Sequence, residues 1–239
     1  MRAVILAGGK GTRLRPFTAT LPKPLVPVGD RPILEIVLLQ LKGWGIDHIT
    51  LAVNHLAHLI MSYFGDGKRW NLKIDYSLED KPLSTIAPLK LVKDLPEDFF
   101  VMNGDVLTDL DFTKLHKAHV DKGAEITVAT FERDNMIDFG VLKTGVDNGI
   151  VGFEEKPVYH FSVSMGIYVI NRRLLEIVPQ GKAFGFDDLM LACLKEGRKA
   201  LSFPHDGYWL DIGRPDDYEE ANEKVATLTE KLFRREETP

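Results

Sequence analysis

Gly8, Gly9 and Gly11 crowd into one short stretch of this chain, and two permanent cations, Arg13 and Lys23, follow them. The stretch comes directly after an apolar run, residues 3–6, that reads as a short buried strand. Glycine lets the backbone turn sharply and approach a ligand without a Cβ clash. The exposed N–H groups of such a turn form an anion cradle. With Thr12, Arg13 and Lys23 beside it, the loop suits a polyphosphate.

A carboxylate stands in an equally telling place. Gly104-Asp105 follows the apolar run 99–102, and a carboxylate at the carboxyl end of a parallel strand lies where open α/β sheets bind ligands. Asp105 is therefore placed to hold Mg²⁺ through oxygen. Asp111 reads as a helix N-cap and Asp109 as a turn residue. The spacing of the loop excludes a P-loop, Gly-x-x-x-x-Gly-Lys-Ser/Thr, and a dinucleotide fingerprint, because Leu14 stands where its third glycine belongs. The pairs His55/His58 and His116/His119 have no Cys or Glu at zinc spacing. Cys193, the only cysteine, sits among Leu189, Met190, Leu191 and Leu194 and reads as a core residue, and the three tryptophans read as packing residues.

Elements of the right kind surround these positions. Strands are expected at 3–6, 48–53, 72–76, 99–102, 126–130, 163–170 and 200–203. Helices are expected from an Asp30 cap to about Gly43, and at 57–64, 112–122, 172–177, 187–195 and 215–230, with a fraying tail at 234–239. Alternating strand and helix implies an α/β, Rossmann-like fold, a mostly parallel twisted sheet flanked by helices. The length of 239 residues and a hydrophobic fraction of 44% support a substantial core. A net charge of −5 argues against a nucleic-acid partner. No apolar run is long enough for a membrane span, and the amino terminus lacks the pattern of a signal peptide, so a cytoplasmic location is expected.

Residues 8–18, Gly-Gly-Lys-Gly-Thr-Arg-Leu-Arg-Pro-Phe-Thr, followed by Pro22-Lys23-Pro24, resemble the signature of the sugar-1-phosphate nucleotidylyltransferases, or NDP-sugar pyrophosphorylases. The resemblance covers nearly the whole chain as one nucleotidyltransferase-fold domain, residues 1–239, without the C-terminal β-helix of many relatives. It leans to the mannose-1-phosphate guanylyltransferase-like branch, with GTP and a hexose or heptose 1-phosphate as substrates. A homo-oligomer is allowed, and a non-catalytic regulatory homologue is the alternative. It implies Arg13, Lys23 and Asp105 as catalytic groups, with Gly8, Gly9, Gly11 and Thr12 around the triphosphate. Asp211, in Trp209-Leu210-Asp211-Ile212-Gly213, matches a motif whose aspartate joins Asp105 on the metal. Glu155-Lys156-Pro157 matches a motif that contacts the sugar and its phosphate, and Gly140 a glycine that lies against the sugar ring. Ser164 stands where many relatives have asparagine. Ser84 and Ala87 replace glycines of the family's base loop. Ser84 keeps the base contact if its φ is permissive and narrows the pocket if it is not; both readings stay open.

Overall fold

The computed structural model describes residues 1–232, and for 226–231 the backbone alone. The expected fraying at 234–239 lies outside the described residues. The elements run β1 (Arg2–Leu6), β2 (Pro27–Val28), β3 (Arg31–Pro32), α1 (Ile33–Lys42), β4 (His48–Val53), α2 (Ala57–Phe64) and β5 (Lys73–Leu78). Next come β6 (Asp98–Asn103), β7 (Val106–Thr108), α3 (Phe112–Asp121), β8 (Ile126–Met136), β9 (Val141–Thr144) and β10 (Ile150–Glu154). The chain ends with β11 (Val158–Asn171), α4 (Phe186–Glu196), β12 (Ala200–His205), β13 (Trp209–Asp211) and α5 (Pro215–Leu232).

A 7-stranded sheet has the order β12-β8-β11-β6-β1-β4-β5. β6, β1, β4 and β5 are mutually parallel, as are β12 and β8. β11 alone runs antiparallel to both its neighbours. Alternate residues of one strand enter opposite cores. Ala3, Ile5, Phe100 and Met102 pack on one face with Leu34, Leu38 and Leu41 of α1 and Leu115 of α3. Val4, Phe99 and Val101 pack on the other with Leu189 and Cys193 of α4. Strands buried on both faces need apolar side chains at every position, which is why they read as unbroken runs. Among the described residues no helix is long and apolar enough to cross a membrane.

Three expectations change. Asp30 does not cap α1, which starts at Ile33 after Pro32 with no side-chain cap; Asp30 lies in the turn between β2 and β3, where Gly29 has φ +61°. Residues Arg172–Ile177 form a 3₁₀ turn, not an α-helix, started by Asn171, whose Oδ1 accepts the Arg173 N–H. β8 and β11 run well past their apolar cores to Met136 and back to Val158. The apolar pattern stops where burial stops, at Thr130 on β8 and before Met165 on β11, but the ladder of backbone bonds continues into solvent. Asp111 does cap α3, accepting the Lys114 N–H at 2.9 Å.

Candidate active site

β1 lies between β4 and β6, so the chain leaves its neighbours in diverging directions and opens a crevice at their carboxyl ends. The crevice holds about 690 Å³ and is lined by the loop after β1, Asn54 after β4, Glu79 after β5 and Asn103 to Asp105 after β6. Gly8, Gly9, Gly11, Thr12, Arg13, Lys23 and Ser84 all line it. A cavity of about 730 Å³ at the opposite ends of the strands has no such loop, and its Asp75 is already paired with His48 at 2.6 Å.

Local packing explains the loop. Gly11 has φ +61° and opens the 3₁₀ turn Thr12–Leu14, whose Leu14 is buried. A Cβ there would sit 3.0 Å from Lys23 Cβ and Thr18 Cγ2, and Thr18 Oγ1 donates to the Gly11 carbonyl at 2.7 Å. Gly9 faces open space, leaving its backbone open to approach.

Lys23 begins the 3₁₀ turn Lys23–Leu25 and stands between Pro22 and buried Pro24. Proline fixes φ on both sides. Its ammonium pairs with the Asp105 carboxylate, with 13% and 20% of the two side chains exposed. Asp105 is fixed in turn, because Gly104 N–H donates to Leu6 O at 3.1 Å and the Asp105 carbonyl accepts Ile212 N–H at 3.0 Å.

Asp211 reaches the site through a non-local strand pair. β13 lies antiparallel to β7, with Asp211 opposite Val106. Trp209 anchors β13, donating Nε1–H to the Met165 carbonyl at 3.1 Å and packing against Phe131 and the Arg133 guanidinium. The Asp211 carboxyl is pushed up to about 6, first by burial and then by the negative charge of Asp105, against the opposing charges of Lys23 and Arg13. The Arg13 guanidinium lies beside Gly213. The signature loop and the Trp-Leu-Asp-Ile-Gly segment therefore meet.

These two carboxylates can receive a divalent cation. Among the described residues no cluster of three or more His, Cys, Asp or Glu side chains forms a metal cage. Two neighbouring carboxylates, one of them raised by burial and by the other's charge, fit Mg²⁺, which keeps waters and takes phosphate oxygens for its remaining positions.

Ser84 has φ +69°, in the left-handed region that favours glycine. Ala87 is buried and starts the 3₁₀ turn Ala87–Leu91. The segment is pinned to 184–186: Ile86 and Ala87 N–H donate to Phe184 O, and Phe186 N–H donates to Thr85 Oγ1. Gly140, Glu155, Lys156 and Ser164 do not line the crevice. Gly140 abuts Glu155 and Phe153 on the β9–β10 hairpin. Lys156 pairs with Asp138 at 2.8 Å in solvent, and Ser164 Oγ donates to Tyr168 Oη at 3.3 Å.

Three lining residues escape sequence reasoning: Asn54, Glu79 and Asn103. Asn54 and Asn103 share one signal, a polar residue at the carboxyl end of an apolar strand, whereas Glu79 follows the mixed strand β5. Glu79 Oε2 accepts the Leu83 N–H at 3.0 Å, and burial pushes its carboxyl up. Asn54 Nδ2 donates to the Glu79 carbonyl at 3.1 Å.

Residues 2–227 match the family model described as Nucleotidyl transferase. The chain belongs to that family. As a nucleotidyl transferase it is 35% identical over 92% of its length to a UTP–glucose-1-phosphate uridylyltransferase of Synechocystis sp.. It is 37% identical over 91% of its length to a mannose-1-phosphate guanyltransferase of Aspergillus oryzae. The chain spans 62% of the length of each of these relatives. Its fold matches the crystal structure of HddC from Yersinia pseudotuberculosis complexed with GMP-PN, with TM-score 0.73 and 28% identity over 94% of this chain and 99% of that one. The mostly parallel, helix-flanked sheet is thus the nucleotidyltransferase fold.

Proposed function

We propose that this domain transfers a nucleoside monophosphate from an NTP to a sugar 1-phosphate, releasing pyrophosphate. The observation that carries the reading is the convergence of Arg13, Lys23 and Asp105 on one glycine-lined crevice, with the Asp211 carboxyl close enough to feel the charges of all three. A sugar-phosphate oxygen attacks the α-phosphorus of the NTP in line; the new P–O bond forms as the bond to pyrophosphate breaks. The nucleophile is already anionic, so the protein supplies position and positive charge instead of a base.

Each residue then has a task. The backbone of Gly8, Gly9, Gly11 and Thr12 cradles the triphosphate, and Arg13 stabilises charge on departing pyrophosphate. Lys23, steered by Asp105, offsets the repulsion between the two reacting anions. Mg²⁺ held by Asp105 and Asp211 supplies further charge neutralisation when bound. Gly140, Glu155, Lys156 and Ser164 serve the sugar phosphate from the hairpin side. The domain works in the cytoplasm, in keeping with a lone, buried cysteine.

The base reading leans to guanine. A carboxylate only accepts hydrogen bonds when ionised, and Glu79 lies at the crevice end bounded by Pro82 to Thr85. Guanine offers N1–H and N2–H₂ donors to such a group, and uracil offers one N–H. The sugar is a mannose-like hexose or heptose. Pyrophosphate release measured across four NTPs and a panel of sugar 1-phosphates with Mg²⁺ tests all of this. Turnover is expected with GTP foremost. Nucleotide-sugar binding without pyrophosphate release from any pair would replace the enzyme with a regulatory homologue.

A further inference from the structure

The ladder that carries the two metal-side carboxylates is short. β7 and β13 pair antiparallel as a two-stranded sheet of their own, from Trp209 opposite Thr108 to Asp211 opposite Val106. Two-stranded ladders are marginal in water unless something fixes them. Asp105 precedes β7 and Asp211 ends β13, so both carboxylates stand at the same end. The negative charge of Asp105 acts on the Asp211 carboxyl there, and Lys23 and Arg13 offset part of it. Like charges push that end of the ladder apart. Beyond the ladder itself, a backbone bond from Ile212 N–H to the Asp105 carbonyl at 3.0 Å opposes them.

Side chains clamp the other end. Asp109 N–H donates to the Tyr208 carbonyl at 3.2 Å, and Asp109 Oδ1 accepts the Tyr208 N–H at 2.7 Å. The same Oδ1 lies 3.0 Å from His205 Nε2. That nitrogen also faces the Tyr208 carbonyl at 3.3 Å, and two acceptors before it fix a proton on Nε2. Thr108 Oγ1 donates to the Tyr208 carbonyl at 2.7 Å, and Thr108 N–H donates to Gln40 Oε1 of α1 at 3.0 Å. His205 is the last residue of β12, opposite Phe131 of β8, and 11% of its side chain is exposed. The Asp109–His205 contact therefore bolts the small ladder to the edge strand of the main sheet. The turn between them is tight: a Cβ at Gly207 would overlap Asp109 Oδ1 and come within 2.8 Å of His205 Cε1.

Neither side chain lines the crevice. We propose that Asp109 and His205 are positioning residues: by closing the far end of the β7–β13 ladder they hold Asp211 in register with Asp105, and so set how tightly that pair of carboxylates takes a divalent cation. This role presupposes the metal site proposed above. Groups that orient metal ligands contribute roughly 10–100-fold in metal affinity.

Mn²⁺ binding to the full chain without nucleotide, followed by electron paramagnetic resonance, reads the carboxylate pair directly. Asp109→Ala should raise the Mn²⁺ dissociation constant by roughly tenfold. His205→Phe, which keeps a ring but loses the donor, should do the same. The double variant should be little worse than either, because both cut one contact. Asp109→Asn keeps an acceptor for the Tyr208 N–H, and His205→Gln keeps a donor toward Asp109; both should recover most of the affinity. In pyrophosphate-release assays Asp109→Ala should need about tenfold more Mg²⁺ for half its maximal rate, yet approach wild-type kcat at saturating Mg²⁺ with the NTP KM unchanged. Leu189→Ala, in the opposite core beneath α4, controls for plain loss of stability. It should lower Tm and leave the Mn²⁺ constant where it was. If Asp109→Ala does not fold, His205→Phe decides alone. Folded variants that bind Mn²⁺ as the wild type does would overturn the positioning role and leave the metal site standing. Equal weakening by Leu189→Ala would overturn it as well. A wild type that binds Mn²⁺ no better than Asp211→Asn would instead remove the metal site, and this role with it.

Discussion

Strand β11 passes through both of the molecule's contrasting regions. Its second half, from Met165 to Ile170, is buried between β6 and β8, and its first half, Val158 to Ser162, stands in solvent as part of a ribbon. The buried half belongs to the scaffold around the crevice, where Asp105, Lys23 and Asp211 are fixed by backbone bonds and neighbouring charges. The exposed half belongs to an arm whose charges pair only locally. Charge neutralisation at the phosphates is common to every NTP and sugar phosphate, and rigid support suits it. Recognition of a variable sugar suits an arm. Changes in the crevice should therefore act on turnover and changes in the arm on affinity.

Asp211→Asn should give the largest effect. It should lower turnover in Mg²⁺ by on the order of 10³-fold or more, beyond the loss expected for a single hydrogen-bond donor. It should also stabilise the metal-free protein at alkaline pH. The folded carboxyl titrates near 6, above its ordinary 3.8, so the native state binds the extra proton and its stability falls as pH rises through that window. Asparagine removes the fall. Melts in EDTA at pH 4.5 and 8 should show a gain of a few degrees only at pH 8. Near-wild-type turnover would remove Asp211 from the metal site.

Arg13→Ala should lower kcat by about 10²–10³-fold, because its contact strengthens as charge moves to pyrophosphate. A steady-state assay that found only a raised sugar-phosphate KM would move Arg13 to the other substrate. Lys156→Ala tests the arm. Lys156 is exposed and already paired with Asp138, so its loss should raise the sugar-phosphate KM by about tenfold, ~1.4 kcal/mol, and change kcat and the NTP KM little. A fall in kcat as large as that of Arg13→Ala would erase the division between crevice and arm.

The same division governs what could be read from the chain. The run 3–6 and the helix 57–64 announce themselves because burial on both faces, or on one helical stripe, demands apolar residues at fixed spacing. Gly11 is legible because turn geometry restricts residue type, and Lys23 because it is a permanent cation beside the loop within the family's Pro-Lys-Pro motif. Asp211 was legible only by resemblance, since its approach to Asp105 depends on β13 pairing with β7, a contact between distant segments with no local pattern. The β9–β10 hairpin was invisible for the opposite reason: its apolar side chains are exposed, and no alternation with a buried face marks it. Glu79 escaped because a glutamate after a strand is usually just solvated.

The smallest expected effect sharpens the comparison through the backbone. Ser84 in the crevice and Asn148 at the hairpin tip both have positive φ, +69° and +59°. A side chain with a Cβ costs about 1–2 kcal/mol in that region, but asparagine is tolerated there because its short polar chain bonds locally. Glycine removes the clash and costs ~0.5–1 kcal/mol in extra freedom of the unfolded chain. Ser84→Gly should therefore stabilise by roughly 0.5–1 kcal/mol net, and Asn148→Gly should change stability by only a few tenths. For a chain of this size the first corresponds to a rise of about 1–4 °C in Tm, readable by calorimetry. If serine is retained at 84 because its hydroxyl or its strain serves the base pocket, the stabilised Ser84→Gly variant should also lose discrimination among NTPs. A stabilised variant with unchanged NTP preference would make the serine a tolerated strain, and the crevice loop no more specialised at that position than the turn of the arm.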